Sequence, residues 1–374
     1  MCYYNNCTSR RDIYYINHIV NIFFEGGKKM KIKKLIAIIL TLALVLTAFA
    51  GCGGGGGSDA DATKPIVLRL ASDAPLEHIA TGLNQEACDL VKQRTDGRVE
   101  VQYFPASQLG GYETVYEEIV RGTIDLGQIT IPDALDARLG AAYVPYYAKS
   151  FEEAKILFAP DSYLSGVVGE LTEANGVKFL GTVLEGFIGM AFVTEPTDMT
   201  TPGVNKKVKT RSPAMITFRV STEDLGFNPI TVPYAEVPTA IQTKVVDGWV
   251  GGTPNINYAW VGEVINFMYV NYIHAEATSY VVSEKSLAKL TPEDAATVVA
   301  VFNEQSMKSF TVAQENEKVY MKKLADDYGV NVVEFTPAQV DAYATFVRNT
   351  SWPKLEELLG KELMDGMRAE VDKL

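Results

Sequence analysis

Two stretches of this chain carry one pattern: YETVYEEIVRGTID at residues 112–125 and YAEVPTAIQTKVVD at residues 234–247. In the first, Tyr112, Val115, Ile119, Ile124 and Asp125 lie at offsets 0, 3, 7, 12 and 13, and Tyr234, Val237, Ile241, Val246 and Asp247 repeat those offsets. Offsets 0, 3 and 7 share one helical face, and the last two positions open a following strand. Working outward, Ile66 to Ala71 is a short β-type run, and Ile79, Leu83, Ala87, Leu90 and Val91 recur at helical spacing. Gly97 is a helix stop, Val99, Val101 and Tyr103 alternate as a half-buried strand, and Ile124 to Ile131 reads as the next strand. The second pattern is likewise preceded by a strand, a helix and the short run Ile230–Val232. Helices interleaved with short apolar strands imply an α/β fold, here two lobes built on one plan. In open α/β sheets ligands bind beyond the strand C-termini, so the cleft between the lobes is the expected site. Thr130 and the run Gly251-Gly252-Thr253 occupy equivalent places in the two units, and glycine there lets backbone approach a ligand closely.

Composition narrows the function classes. The chain has 374 residues, enough for two ordinary domains, and 47% hydrophobic with 21% charged residues is a globular balance. Acidic residues outnumber basic ones 46 to 34, which excludes a protein that coats nucleic acid with a basic face. Four cysteines exclude a disulfide scaffold, and three scattered histidines argue against a zinc centre. Cys88 lies in a helical pattern and reads as a small buried hydrophobe. There is no Gly-x-Ser-x-Gly elbow, Walker loop or zinc motif, so no catalytic residue, metal or cofactor is expected.

Further motifs flank the repeat. Residues 104–111, FPASQLGG, lead into the first helix of the pattern and Gly122-Thr123-Ile124-Asp125 closes it. Later come KVKTRSP at 207–213, Leu225-Gly226, and AIQTKVVDG at 240–248. Together these resemble the solute-binding subunits of tripartite ATP-independent periplasmic (TRAP) transporters, in the dicarboxylate-binding branch, over about residues 66–350. The resemblance implies a two-lobed periplasmic-binding-protein-like fold with crossing strands and a long connecting helix, for which Thr291–Tyr328 is suited. It implies lobe I at 66–185 plus 277–316 and lobe II at 186–276 plus 317–374. It also implies a small organic acid as ligand and TRAP membrane subunits as partners.

In that family an arginine in the strand around 207–211 pairs with the ligand carboxylate. Its usual place, two residues after a lysine, is held here by Lys209, and Arg211 lies two residues further on. Residues two apart on a strand share a face, so both are candidates. Arg211 is favoured because a guanidinium fork matches two carboxylate oxygens and stays charged when desolvated. Relatives often carry a second arginine after Gly-Phe; here Gly186-Phe187 is followed by Ile188. They often carry Glu-Asn-Pro after the Asp-Gly; here Trp249 precedes Val250-Gly251-Gly252. The exchange of an anion partner and an amide for an aromatic wall points to a monocarboxylate with a bulkier body. The remaining wall candidates are Thr253, Asn255, Ser72, Asp73, Gln108, Tyr112, Thr130, Glu185, Phe187, His274 and Glu276. If Asp73, Glu185 and Glu276 face the ligand, they favour hydroxyls or an amine on it, or a bridging divalent cation.

The N-terminus reads as an address. Lys31, Lys33 and Lys34 precede an apolar run from Leu35 to Ala50, the proportions of a secretory signal rather than of a membrane span. The run ends TAFAGC, which resembles a bacterial lipoprotein cleavage box with Cys52 as the lipidated residue. Residues 30–51 are thus expected to be a lipoprotein signal peptide, and 52–65 a Gly-rich tether holding the protein at the outer face of the membrane. Residues 1–29 fit no targeting pattern, and Met30 reads as the true start. The leading expectation is an extracytoplasmic receptor rather than an enzyme. A binding protein for another importer or a sensor, or an enzyme on a similar bilobal fold, are the alternatives.

Overall fold

The computed structural model describes residues 64–374. The expected start, signal peptide, Cys52 and nearly all of the tether lie outside the described residues. One nine-stranded sheet runs through the described chain, in the order β2-β1-β3-β8-β4-β7-β5-β6, with β9 on β8. The strands are β1 (Ile66–Ser72), β2 (Val99–Phe104), β3 (Leu126–Ile129), β4 (Val177–Phe192), β5 (Lys209–Ser212), β6 (Asn228–Thr231), β7 (Gly248–Gly252), β8 (Phe267–Ser283) and β9 (Asn331–Glu334).

The repeat read from sequence is a repeat of topology. β1 pairs in parallel with β2 on one side and β3 on the other, and β5 does the same with β6 and β7. Helices Ile79–Arg94 and Tyr112–Arg121 link the first trio; Ile216–Asp224 and Val237–Gln242 link the second. The repeated aspartate explains itself: Asp125 Oδ2 accepts the Arg69 N–H of β1 at 2.8 Å, and Asp247 Oδ2 accepts the Lys209 N–H of β5 at 2.7 Å. Each carboxylate therefore pins the central strand of its own trio. β3 is shorter than the expected Ile124–Ile131. At its start Asp125 is occupied by Arg69, Ser286 and Lys289, and at its end the Thr130 hydroxyl turns to Tyr143.

The long antiparallel strands β4 and β8 join the trios, giving the two-lobed α/β fold. Their register shifts between Leu184 and Phe187, where Gly186 takes φ +129°, a conformation that requires glycine. The 37-residue helix Pro292–Tyr328 lies behind both lobes, about 55 Å long at 1.5 Å per residue. Ser306 donates to the Thr182 carbonyl, Ser309 accepts the Leu184 N–H, and the buried Glu317 accepts the Phe187 N–H at 3.2 Å. Three side chains of one helix thus fix the crossing strand around its bulge at Gly186. Among the described residues no helix is long and apolar enough to cross a membrane.

Candidate functional site

A cleft opens where the C-terminal ends of both trios meet, holding about 620 Å³ of space free of protein atoms, its mouth included. Four helices begin beside it, at residues 79, 112, 216 and 254, so their positive N-terminal ends favour an anion there. Two of these ends are capped from across the cleft. Asn255 Oδ1 accepts the Ile79 N–H at 3.1 Å, and Asp133 Oδ2 accepts the Ile216 N–H at 3.3 Å. The helix at 216 has no side-chain cap of its own, so Asp133 supplies the missing acceptor.

Arg211 reaches the cleft from β5 and is 2% exposed. Its Nε donates to the Val232 carbonyl at 3.0 Å, its guanidinium lies 6.0 Å from the Tyr234 ring and 5.9 Å from the Trp249 ring, and it forms no ion pair with a described carboxylate. Burial pushes its pKa down to about 10, so it stays charged at neutral pH while lacking a counter-charge. Gly251, at φ +135°, passes so close that a Cβ there would sit 2.9 Å from Arg211 Nη1. Glycine at this position keeps open the space into which the guanidinium fork points.

Of the residues singled out from sequence, Arg211, Gly251, Asp73, Tyr112, Thr130, Glu185 and Glu276 line the cleft together. The others lie elsewhere. Lys209 is exposed, its Nζ 3.4 Å from the Lys244 carbonyl; two residues back along β5 its Cα lies nearly 7 Å away, at the outer end of the strand. Trp249 is fully buried and donates from Nε1 to Asn257 Oδ1, so it backs Arg211 instead of walling the ligand. Thr253 caps the helix at 254, and Asn255 caps the helix at 79. Ser72 donates to Gln128, Gln108 is exposed, and Phe187 packs edge-on against Phe151 and Tyr272 in the core.

His274 is also core. It stacks on Phe218 at 4.2 Å, donates from Nδ1 to the Tyr143 carbonyl at 2.8 Å and turns Nε2 to Ser221. Burial drives its pKa down to about 3 from an ordinary 6.5. The unfolded chain therefore takes up a proton near pH 6.5 that the folded chain refuses until about 3. Stability is full above about 6.5 and falls as the pH drops from there. Urea denaturation of His274→Gln should show a flatter acid limb between pH 6.5 and 4 than the native protein. An unchanged limb would assign the acid loss to other groups.

Sequence reasoning missed His78, Gln128, Tyr143, Tyr234 and Thr278 of the lining. Tyr234 was within reach, because it is the repeat counterpart of Tyr112. The others had no signal: they come from a helix start, two strands and the end of the short 3-10 helix Ala137–Tyr143, which only tertiary folding brings together. Around Glu185 they form a directed network. Gln128 Nε2 and Thr278 Oγ1 both donate to Glu185 Oε1 at 2.7 Å, and His78 Nε2 lies 3.3 Å from Oε2. Glu276 accepts from Tyr143, and burial beside Glu185 raises its pKa to about 8. Asp73 accepts from Ser107 and from the Tyr112 N–H; burial raises its pKa to about 6.

Comparison with known proteins places this arrangement. Residues 71–354 match the model of the bacterial extracellular solute-binding protein family 7, DctP. The chain belongs to this family. An uncharacterised protein of Haemophilus influenzae is 29% identical over 192 residues, 50% of this chain and 56% of its own length. The 2,3-diketo-L-gulonate-binding periplasmic protein of Escherichia coli is 26% identical, covering 66% of this chain and 74% of its own. A TRAP periplasmic solute-binding protein from Shewanella oneidensis with bound succinate superposes with a TM-score of 0.73 at 18% identity, over 82% of this chain and 99% of that one. The TRAP resemblance and the two-lobed fold thus hold together.

Proposed function

We propose that this protein is the extracytoplasmic receptor of a TRAP transporter, capturing a small organic acid whose carboxylate sits on Arg211. The carrying observation is a buried guanidinium, aimed into a cleft, with no counter-charge of its own. A charge buried without a partner costs several kcal/mol, and a ligand carboxylate supplies the partner. Family membership supports the role, and proteins of this fold carry bound succinate, L-gulonate and pyroglutamic acid, all organic acids.

Capture is a hinge closure of lobe I (66–185 plus 277–316) over lobe II (186–276 plus 317–374). The strand bulge at Gly186 and the cross-cleft caps from Asn255 and Asp133 support this reading. Closure makes the two caps and the ligand contacts at once, so ligand binding selects the closed state. The loaded receptor then hands its solute to two membrane subunits, with Cys52 lipidated and residues 52–65 as the leash that keeps it nearby.

Native mass spectrometry of the purified protein before and after denaturation tests this, followed by small-angle scattering with the recovered acid. A receptor releases an intact small acid and becomes more compact when it rebinds. Conversion of the acid into a product would overturn the receptor role, and an unchanged radius of gyration would sink the closure.

A further inference from the structure

Resting on the reading above, we propose that the solute is a zwitterion: a small acid that also carries a cationic nitrogen, its carboxylate on Arg211 and its nitrogen against Glu185 and Glu276. The argument runs through the hydrogen-bond directions around Glu185. Tyr280 donates to Asn84 Oδ1 at 2.8 Å, so Asn84 turns its amide nitrogen to Gln128 Oε1. Ser72 donates to the same oxygen at 2.7 Å. Gln128 is left only its NH2 to offer Glu185. His78 accepts the Ala80 N–H on Nδ1, so its Nε2 carries the proton; that nitrogen lies 3.3 Å from Glu185 Oε2 without hydrogen-bonding it or any other described group. Thr278, like Gln128, donates to Glu185.

With Gln128 and Thr278 both donating to Oε1, Glu185 is turned to the cleft as an acceptor, 8% exposed, without a lysine or arginine partner among the described residues. Arg211 is the complementary case, a buried cation without an anion. A simple carboxylate adds one more negative charge to a cleft that Asp73, Glu185 and Glu276 already line against Arg211, the single lysine or arginine among the described lining residues, whereas a zwitterion adds none. Hydroxyls satisfy acceptor lone pairs and leave the charge uncompensated. Glu276 keeps one oxygen beyond its bond from Tyr143 and supplies a second acceptor for an ammonium group. Asp73 is already committed to Ser107 and the helix at 112. A bridging divalent cation needs converging ligands, and among the described residues no group of three or more His, Cys, Asp or Glu side chains is placed to hold one.

The test is calorimetry and thermal shift on the purified full chain with acid pairs of matched skeleton. Each pair sets a 2-amino or N-methylated acid against its 2-hydroxy counterpart, and amino sugar acids against sugar acids. At least one amino member should bind roughly 10-fold or more tightly than its hydroxy partner. Glu185→Gln should bring that pair to within about 2-fold, and Glu276→Gln should narrow it. Should Glu185→Gln fail to fold, Glu276→Gln and the wild-type panel decide alone. Hydroxy members that match or exceed their amino partners, a panel in which no amino member binds, or binding that requires added calcium would each overturn the proposal. Arg211→Ala separates the two readings. Hydroxy acids that bind the native protein and lose binding in Arg211→Ala would leave the receptor reading standing without the zwitterion. Acids that bind both proteins equally would remove the Arg211 reading itself.

Discussion

Arg211→Ala should abolish capture of the organic acid while leaving the fold in place. The loss comes from the ligand side: its carboxylate would be closed into a desolvated cleft with no counter-charge. Truncating one member of such a pair costs roughly 3–5 kcal/mol, two to four orders of magnitude in affinity. The unliganded protein tolerates the change because Arg211 is a desolvated cation in the free state, as its lowered pKa records. Arg211→Lys should fall between, keeping the charge but losing the bidentate fork. Isothermal titration with the acid recovered from the native protein measures all three. Undiminished affinity in the alanine variant would strip Arg211 of its role, and Lys209 would then have to act from outside the cleft.

Trp249→Ala is the second large effect, and it acts on stability. The ring is fully buried in a cluster with Val237, Ile256 and Met268, and it packs so tightly on the chain that a Cβ at Gly252 would lie 2.3 Å from Cζ2. Deleting a buried tryptophan costs about 3–5 kcal/mol through lost burial and the cavity left behind. Asn257 Oδ1 also loses its donor. Urea denaturation of the ligand-free protein should show that loss, and ligand affinity should fall with it, since the ring supports the Arg211 guanidinium at 5.9 Å. Trp249→Phe should lose less, keeping a ring but no N–H. A Trp249→Ala protein of native stability that merely binds less acid would make the indole a direct ligand wall after all.

These two residues show where sequence reading succeeds and where it stops. Arg211 was legible as a cleft residue because its neighbourhood is a motif and its guanidinium suits an anion. Trp249 was legible as important but misplaced. A tryptophan beside two glycines looks the same from sequence whether the ring turns to the cleft or to the core. Asn255 was likewise found for the wrong reason: it serves the cleft by capping a helix of the other strand trio, 176 residues away in sequence. His274 reads as a ligand candidate only until its buried partners are seen. With both ring nitrogens engaged and Phe218 against its face, it is a neutral core residue.

By itself the sequence determined the alternation of strands and helices, the repeat at 112 and 234, and the extent of the long helix. Hydrophobic period, glycine stops and capping residues act within a few positions of one another, so they survive in one dimension. It also singled out Arg211 as the candidate partner for a ligand carboxylate. Only the tertiary structure decided which acids face the cleft and which groups they bond. Glu185 is fixed as an acceptor by Gln128 and Thr278, which come from two strands 150 residues apart. The charge balance of the cleft depends on those directions, and hydrogen-bond direction is a property of side chains brought together in space.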